Sequence, residues 1–157
     1  MKGQAHFEHI GLLVRDAEKT VEVLKLLPHA DDFMIMPALR FEPPIQKVGK
    51  NFTLKGAEGS VCGLKLEILE PVPEESEGSY MLGHVEKYGE GLHHIDIDFT
   101  DREDLMEMVD KLKAHGGVVV HHNAGEVFEN VYTEGIYVEM PAGGLCFELG
   151  YVEELDH

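Results

Sequence analysis

The chain has 157 residues, 43% of them hydrophobic, and a formal net charge of −17, which suits a folded domain with a real core. The acidic balance argues against nucleic acid and anionic membrane as partners, since both need basic patches, and no apolar run approaches bilayer-spanning length. Cys62 and Cys146 form no closely spaced pair, and the chain enters a strand almost at once with no apolar leader, so a cytoplasmic location is expected.

The first predicted element is the strand FEHIGLLVRD. Strand side chains alternate between faces, so Ile10, Leu12 and Val14 share one face and His9 lies on the other. A helix over 16–27 follows, with Ala17, Val21, Leu24 and Leu27 as its apolar stripe, Asp16 as cap and Pro28 as stop. Three more strands are predicted near 31–37, 49–57 and 62–70. The glycine-rich GAEGSVCG at 56–63 lacks the strand-turn-helix setting of a dinucleotide loop and reads as a hairpin turn. In LKLEILEP, Leu64, Leu66 and Ile68 share one face and Glu67 takes the other.

The stretch ALRFEPPIQKVGK at 38–50 matches nothing later in the chain and is a candidate lid. Arg40, Lys47, Lys50 and Lys55 cluster in and just after it. They form either a solvated edge or a local patch for a phosphate or carboxylate. Residues 73–90 then read as a linker, rich at its start in Pro, Glu, Ser and Gly, with a short helix from Met81 to Tyr88 that Gly89 and Gly91 end.

From residue 91 the pattern returns. In LHHIDIDFTD, His94 opposes Ile95, Ile97 and Phe99, while His93 points to the aliphatic side as a satisfied, partly buried residue. Asp96 and Asp98 share the face of His94, either at a solvated rim or as acceptors that orient a ligating imidazole. Thr100 to Glu103 reads as a capping box. Leu105, Met108, Val109 and Leu112 form the stripe of the helix that Gly116-Gly117 ends. Strands are predicted near 117–122, 130–140 and 144–151, with His121-His122 at a solvated strand end. In LCFELGYV, Glu148 opposes Leu145, Phe147 and Leu149. His6, His29, His84 and His115 have no ligand partner at telling spacing.

The chain therefore repeats itself. Module one, 5–72, and module two, 91–152, each place one His on a first strand and one Glu on a last strand, opposite an aliphatic face. Any one of these residues could simply face water. Four at matched places point to a metal site of His9, Glu67, His94 and Glu148. Two imidazoles and two carboxylates suit zinc, cobalt, nickel, manganese or iron(II). The second carboxylate, Glu67, turns the expectation from dioxygen chemistry to Lewis-acid work on a carbonyl, with a carboxylate moving a proton.

These residues resemble the vicinal oxygen chelate superfamily, and within it the methylmalonyl-CoA epimerase group. The likeness is carried by FEHIGLLVRD at 7–16, LEILEPV at 66–72, EKYGEGLHHIDIDFTD at 86–101 and YVEMPAGGLCFELG at 137–150. It implies a single α+β domain over 1–157, two tandem βαβββ modules forming a curled mixed-sheet cleft around the metal. It implies a metal-dependent isomerase or epimerase that shifts a proton alpha to a carbonyl. Glu148, Glu67 and Glu42 are then the candidate bases, Glu42 being the carboxylate in FEPPIQKV, the stretch where the epimerases carry an acidic segment. The implied partner is a small molecule, an acyl-CoA or a glutathione adduct, and the implied assembly a homodimer. A glyoxalase-like lyase acting on a thiol hemithioacetal and a non-catalytic ligand-binding resistance protein are the alternatives.

Overall fold

A computed structural model describes residues 3–141 and 144–155. Ala142 and Gly143, inside the run YVEMPAGGLCFELG, lie outside the described residues. The elements are β1 (Ala5–Leu13), α1 (Ala17–Leu24), β2 (Met34–Phe41), β3 (Gln46–Val48), β4 (Phe52–Val61), β5 (Leu64–Pro71), α2 (Tyr80–Tyr88), β6 (Gly91–Phe99), α3 (Arg102–Ala114), β7 (Val118–Phe128), β8 (Val131–Glu139) and β9 (Cys146–Glu154). The class is α+β with mixed sheets, and the two tandem βαβββ modules are present. Among the described residues no helix is long and apolar enough to cross a membrane.

The chain clusters into two compact units. One holds His9–Phe41 and Lys50–His93; the other holds the N-terminal residues to Glu8, the segment Glu42–Gly49, and the chain from His94 onward.

In the first unit the strand order is β2-β4-β5-β1. β1 and β5 run parallel, with Gly11 opposite Glu67, and the remaining pairs are antiparallel. The aliphatic face closes on α1, where Val14, Ala17, Val21, Phe33, Ala57, Leu66 and Ile68 form the core. Asp16 caps α1 by accepting from Lys19 N at 3.0 Å, and Glu70 accepts from Ala17 N at 2.9 Å. The helix is shorter than its pattern implied. Leu26 and Leu27 bond three residues back instead of four, and both are exposed, so no packing holds another α turn. β2 is displaced toward the C-terminus and passes Pro37 through a register shift between Met36 and Leu39, because proline cannot donate to the ladder. The glycine-rich stretch lies in the expected hairpin, but β4 runs on through most of it to Val61, and the turn is confined to Cys62 and Gly63 at φ 53° and 78°.

In the second unit the order is β6-β9-β8-β7-β3. β6 and β9 run parallel with Asp96 opposite Glu148. The core is Phe99, Leu105, Val109, Ile136, Val138 and Leu149, and Met108 and Leu112 of the predicted stripe pack against it. The cap of α3 is Asp101, one residue later than predicted. Its carboxylate accepts from Glu103 N at 2.8 Å and Asp104 N at 3.4 Å, while the Thr100 hydroxyl is engaged by Gln4 N at 2.9 Å. β7 is longer than predicted and carries two register shifts, one on either side of 121–126. The segment 42–49 is not an open loop throughout. Its β3 pairs antiparallel with β7, Gln46 opposite Asn123, and Ile45 O accepts from Ala124 N at 2.9 Å.

Candidate metal centre

Each module builds one His–Glu pair by the same construction. Gly11 stands opposite Glu67 in the β1–β5 ladder, and Asp96 opposite Glu148 in β6–β9. In both, the His lies two residues before the partner of the Glu, hence on the same face. His9 Nε2 is 3.2 Å from Glu67 Oε2, their side chains 8% and 15% exposed. His94 Nε2 is 3.0 Å from Glu148 Oε2, at 0% and 17% exposed. Repeat, register and alternation thus bring the expected partners together within each unit.

The donor set fits a metal ion of borderline hardness. Two donors at right angles on bonds of about 2.1 Å stand about 3.0 Å apart, and at the tetrahedral angle about 3.4 Å. The observed separations, 3.0 and 3.2 Å, fall between these two values.

Around His94 and Glu148 lies a group of polar and aromatic side chains that the sequence reading missed. The Tyr137 ring meets the His94 ring edge-on at 5.0 Å, and Tyr137 stands opposite Glu148 in the ladder. His121, expected at a solvated strand end, is instead 2% exposed. It sits inside β7, its ring 5.6 Å from that of Tyr137 and its Nε2 3.2 Å from Asn123 Oδ1. Burial pushes the imidazole down to about 4, outweighing the pull of the Glu148 charge, the Asn123 hydrogen bond and the Val48 carbonyl, so it is neutral at pH 7. His122 points to the opposite face and bonds the buried Glu134 at 2.9 Å, where Arg102 also donates at 3.1 Å. Burial works to raise the Glu134 carboxyl, but the Arg102 and His122 hydrogen bonds outweigh it and hold it below the usual range. A signal for His121 was available: with β7 extended, alternation puts 121 and 123 on the face of Glu148.

His93 is buried as expected, 3.1 Å from the Tyr80 hydroxyl and edge-on to His84 at 4.5 Å. His84 is part of an aromatic cluster with Tyr80, Tyr88 and His93 and of no metal-competent group among the described residues. His6 also has company: its Nε2 is 3.5 Å from Glu8 Oε2, and with Asp98 the two form a half-exposed group. Asp96 is buried. Glu42 is exposed in the turn before β3 and stands outside the metal-competent groups. The basic stretch is largely compensated. Arg40 lies 3.5 Å from Glu75, Lys55 lies 3.6 Å from Glu70, and Lys47 donates to the Pro44 carbonyl.

No protein-family model matches the sequence, and no curated protein matches it. Solved structures do. Methylmalonyl-CoA epimerase from Mycobacterium tuberculosis is 19% identical with a TM-score of 0.57, over 92% of this chain and 86% of that one. A methylmalonyl-CoA epimerase variant from Streptomyces coelicolor, in complex with 2-nitronate-propionyl-CoA, is 21% identical with a TM-score of 0.54, over 92% of each chain. A variant of 4-hydroxymandelate synthase from Streptomyces coelicolor is 13% identical with a TM-score of 0.58, over 98% of this chain and 50% of that one. These are likenesses of fold, and they bear out the vicinal oxygen chelate fold that the sequence resemblance implied.

Proposed function

We propose that this protein, with the fold of the vicinal oxygen chelate superfamily, is a metal-dependent enzyme that shifts a proton alpha to a carbonyl. The observation that carries the reading is the donor set itself: each unit holds one imidazole against one carboxylate, His9 with Glu67 at 3.2 Å and His94 with Glu148 at 3.0 Å. A divalent ion held by these four residues would supply Lewis acidity toward a carbonyl oxygen. Glu148 turns Oε2 toward His94, which leaves Oε1 to accept the proton from the adjacent carbon. Glu67 is arranged likewise toward His9 and is the candidate to return a proton. Glu42 is the third candidate base.

An acyl-CoA thioester is the proposed substrate, supported by the fold shared with epimerases whose names carry that substrate class. A cytoplasmic homodimer completes the proposal. Metal analysis, followed by a proton–deuterium exchange screen over acyl-CoA thioesters and thiol hemithioacetals, tests it. The expected result is one divalent ion per chain and deuterium at the α-carbon of both stereoisomers of a thioester. Turnover of a hemithioacetal with no label in any thioester sinks the epimerase and leaves a glyoxalase-type lyase. A protein that binds ligand without metal or turnover is a binding protein.

A further inference from the structure

One rung of the second unit crosses three strands. His121 of β7 stands opposite Tyr137 of β8, which stands opposite Glu148 of β9. The next strand is β6, where Asp96 stands opposite Glu148 and His94 lies two residues earlier on the same face. Tyr137 therefore sits on a strand that is not paired with β6. Its ring nevertheless reaches over β9 and meets the His94 ring at 5.0 Å between centroids and 81° between planes. That is an edge-to-face contact, one of the two arrangements that aromatic rings prefer. Glu148, on the strand between, brings Oε2 to 3.0 Å from His94 Nε2. The imidazole thus has a carboxylate at its nitrogen and a phenol ring perpendicular to its plane.

A ligating histidine needs such a neighbour. Rotation about its Cβ–Cγ bond is broad, so the strand fixes where the ring begins but not the plane in which its nitrogens lie. Tyr137 can set that plane because it is held in turn. It is buried, and on its outer side the His121 ring stands 5.6 Å away. His121 is buried too, with Nε2 3.2 Å from Asn123 Oδ1 and a hydrogen bond to the Val48 backbone, so β3, paired along β7, closes the outer end of the row. Being neutral at pH 7, His121 adds no positive charge beside the proposed ion. The first module shows the same two places without rings. There Glu58 is opposite Glu67, and Met34 is opposite Glu58.

We propose that Tyr137, backed by His121, is a positioning residue for His94, its ring fixing the plane of the imidazole so that Nε2 stays on the side of Glu148 and of the ion. The inference rests on the reading of His94 and Glu148 as metal ligands. It assigns the buried His121, which the proposed reaction does not use, to the support of a ligand. An edge-to-face ring pair is worth about 2–10-fold in an equilibrium constant, and that is the effect expected on metal affinity.

Cobalt(II) titration of the full chain, read by affinity and by the visible absorption spectrum of the bound ion, tests this without any substrate. Tyr137→Leu removes the ring and should weaken the affinity about 2–10-fold and alter the spectrum. Tyr137→Phe keeps the ring and should restore both readouts to those of the parent. His121→Ala takes away the backing from a residue remote from the ion, and should alter the spectrum in the same direction even if the leucine variant folds poorly. Parent-like affinity and spectrum in both Tyr137→Leu and His121→Ala overturn the positioning role while the metal site stands. A phenylalanine variant as perturbed as the leucine one also overturns it, since the hydroxyl and not the ring would then matter. A parent that binds no cobalt, or binds it equally after His94→Ala, overturns the metal reading and this inference with it, and is seen before any Tyr137 variant is made.

Discussion

The two modules place His9 with Glu67 and His94 with Glu148 by one rule of register, yet they surround the two carboxylates differently. Glu67 faces Glu58 and a methionine-lined edge, with Met34 and Met36 at the outer strand. Glu148 faces Tyr137, with His121 and Asn123 at the same two outer positions. The repeat gives each module one imidazole and one carboxylate, the pair that the proposed ion would need from it. The surroundings of the two carboxylates are not repeated, and comparing Glu148 with Glu67 tests whether that asymmetry matters to the proposed reaction.

The largest effect expected is loss of the ion. His94→Ala and His9→Ala should each abolish stoichiometric metal in protein purified without chelator. Circular dichroism should stay that of the parent, since both side chains lie off the aliphatic faces that pack on helices. Full occupancy in either variant would break the equivalence of the two pairs.

Next comes the difference between the carboxylates. Glu148→Gln should slow α-proton exchange about 100-fold or more, the usual contribution of a general base, and Glu67→Gln should retain more exchange once metal is resupplied. Equal losses would remove the asymmetry. Metal binding in the parent should also weaken toward pH 5, as ligating imidazoles take up protons, which isothermal titration across pH would show.

A third effect concerns stability in the second unit. Arg102→Leu strips a charged donor from the buried Glu134 and should cost about 2 kcal/mol in urea unfolding, the scale of hydrogen bonds to charged groups. The Glu134 carboxyl is held below its ordinary value. The unfolded chain therefore binds the proton first as pH falls, and the contribution is present above the unfolded value and lost through the folded one. The variant should lose less stability on acidification than the parent. The smallest effect is expected at Arg40. Its partner Glu75 already neutralises it, so Arg40→Ala should change the KM for an anionic substrate by less than about threefold, as for an exposed pair. A tenfold rise would restore the basic stretch as an anion site.

Much of this was legible without coordinates. Alternation is local and strict, so a period of two is enough to put His9, Glu67, His94 and Glu148 opposite aliphatic faces, and the repeat is enough to pair them. The α3 stripe is local in the same way. What a linear pattern could not carry is any choice made between strands distant in sequence. The Asp101 cap depended on Gln4 occupying the Thr100 hydroxyl. The burial of His121 depended on β7 continuing past 122 because β8 and β3 were there to pair with it. The lid-like segment 42–49 became a strand only because β7 offered it an edge. The sequence by itself determined which residues could bind an ion and on which faces they lie. The tertiary structure decided that Glu148 stands opposite Tyr137 and that His121 is buried beside that ring, because ladder partners are set by pairing energy summed over whole strands and not by any spacing along one of them.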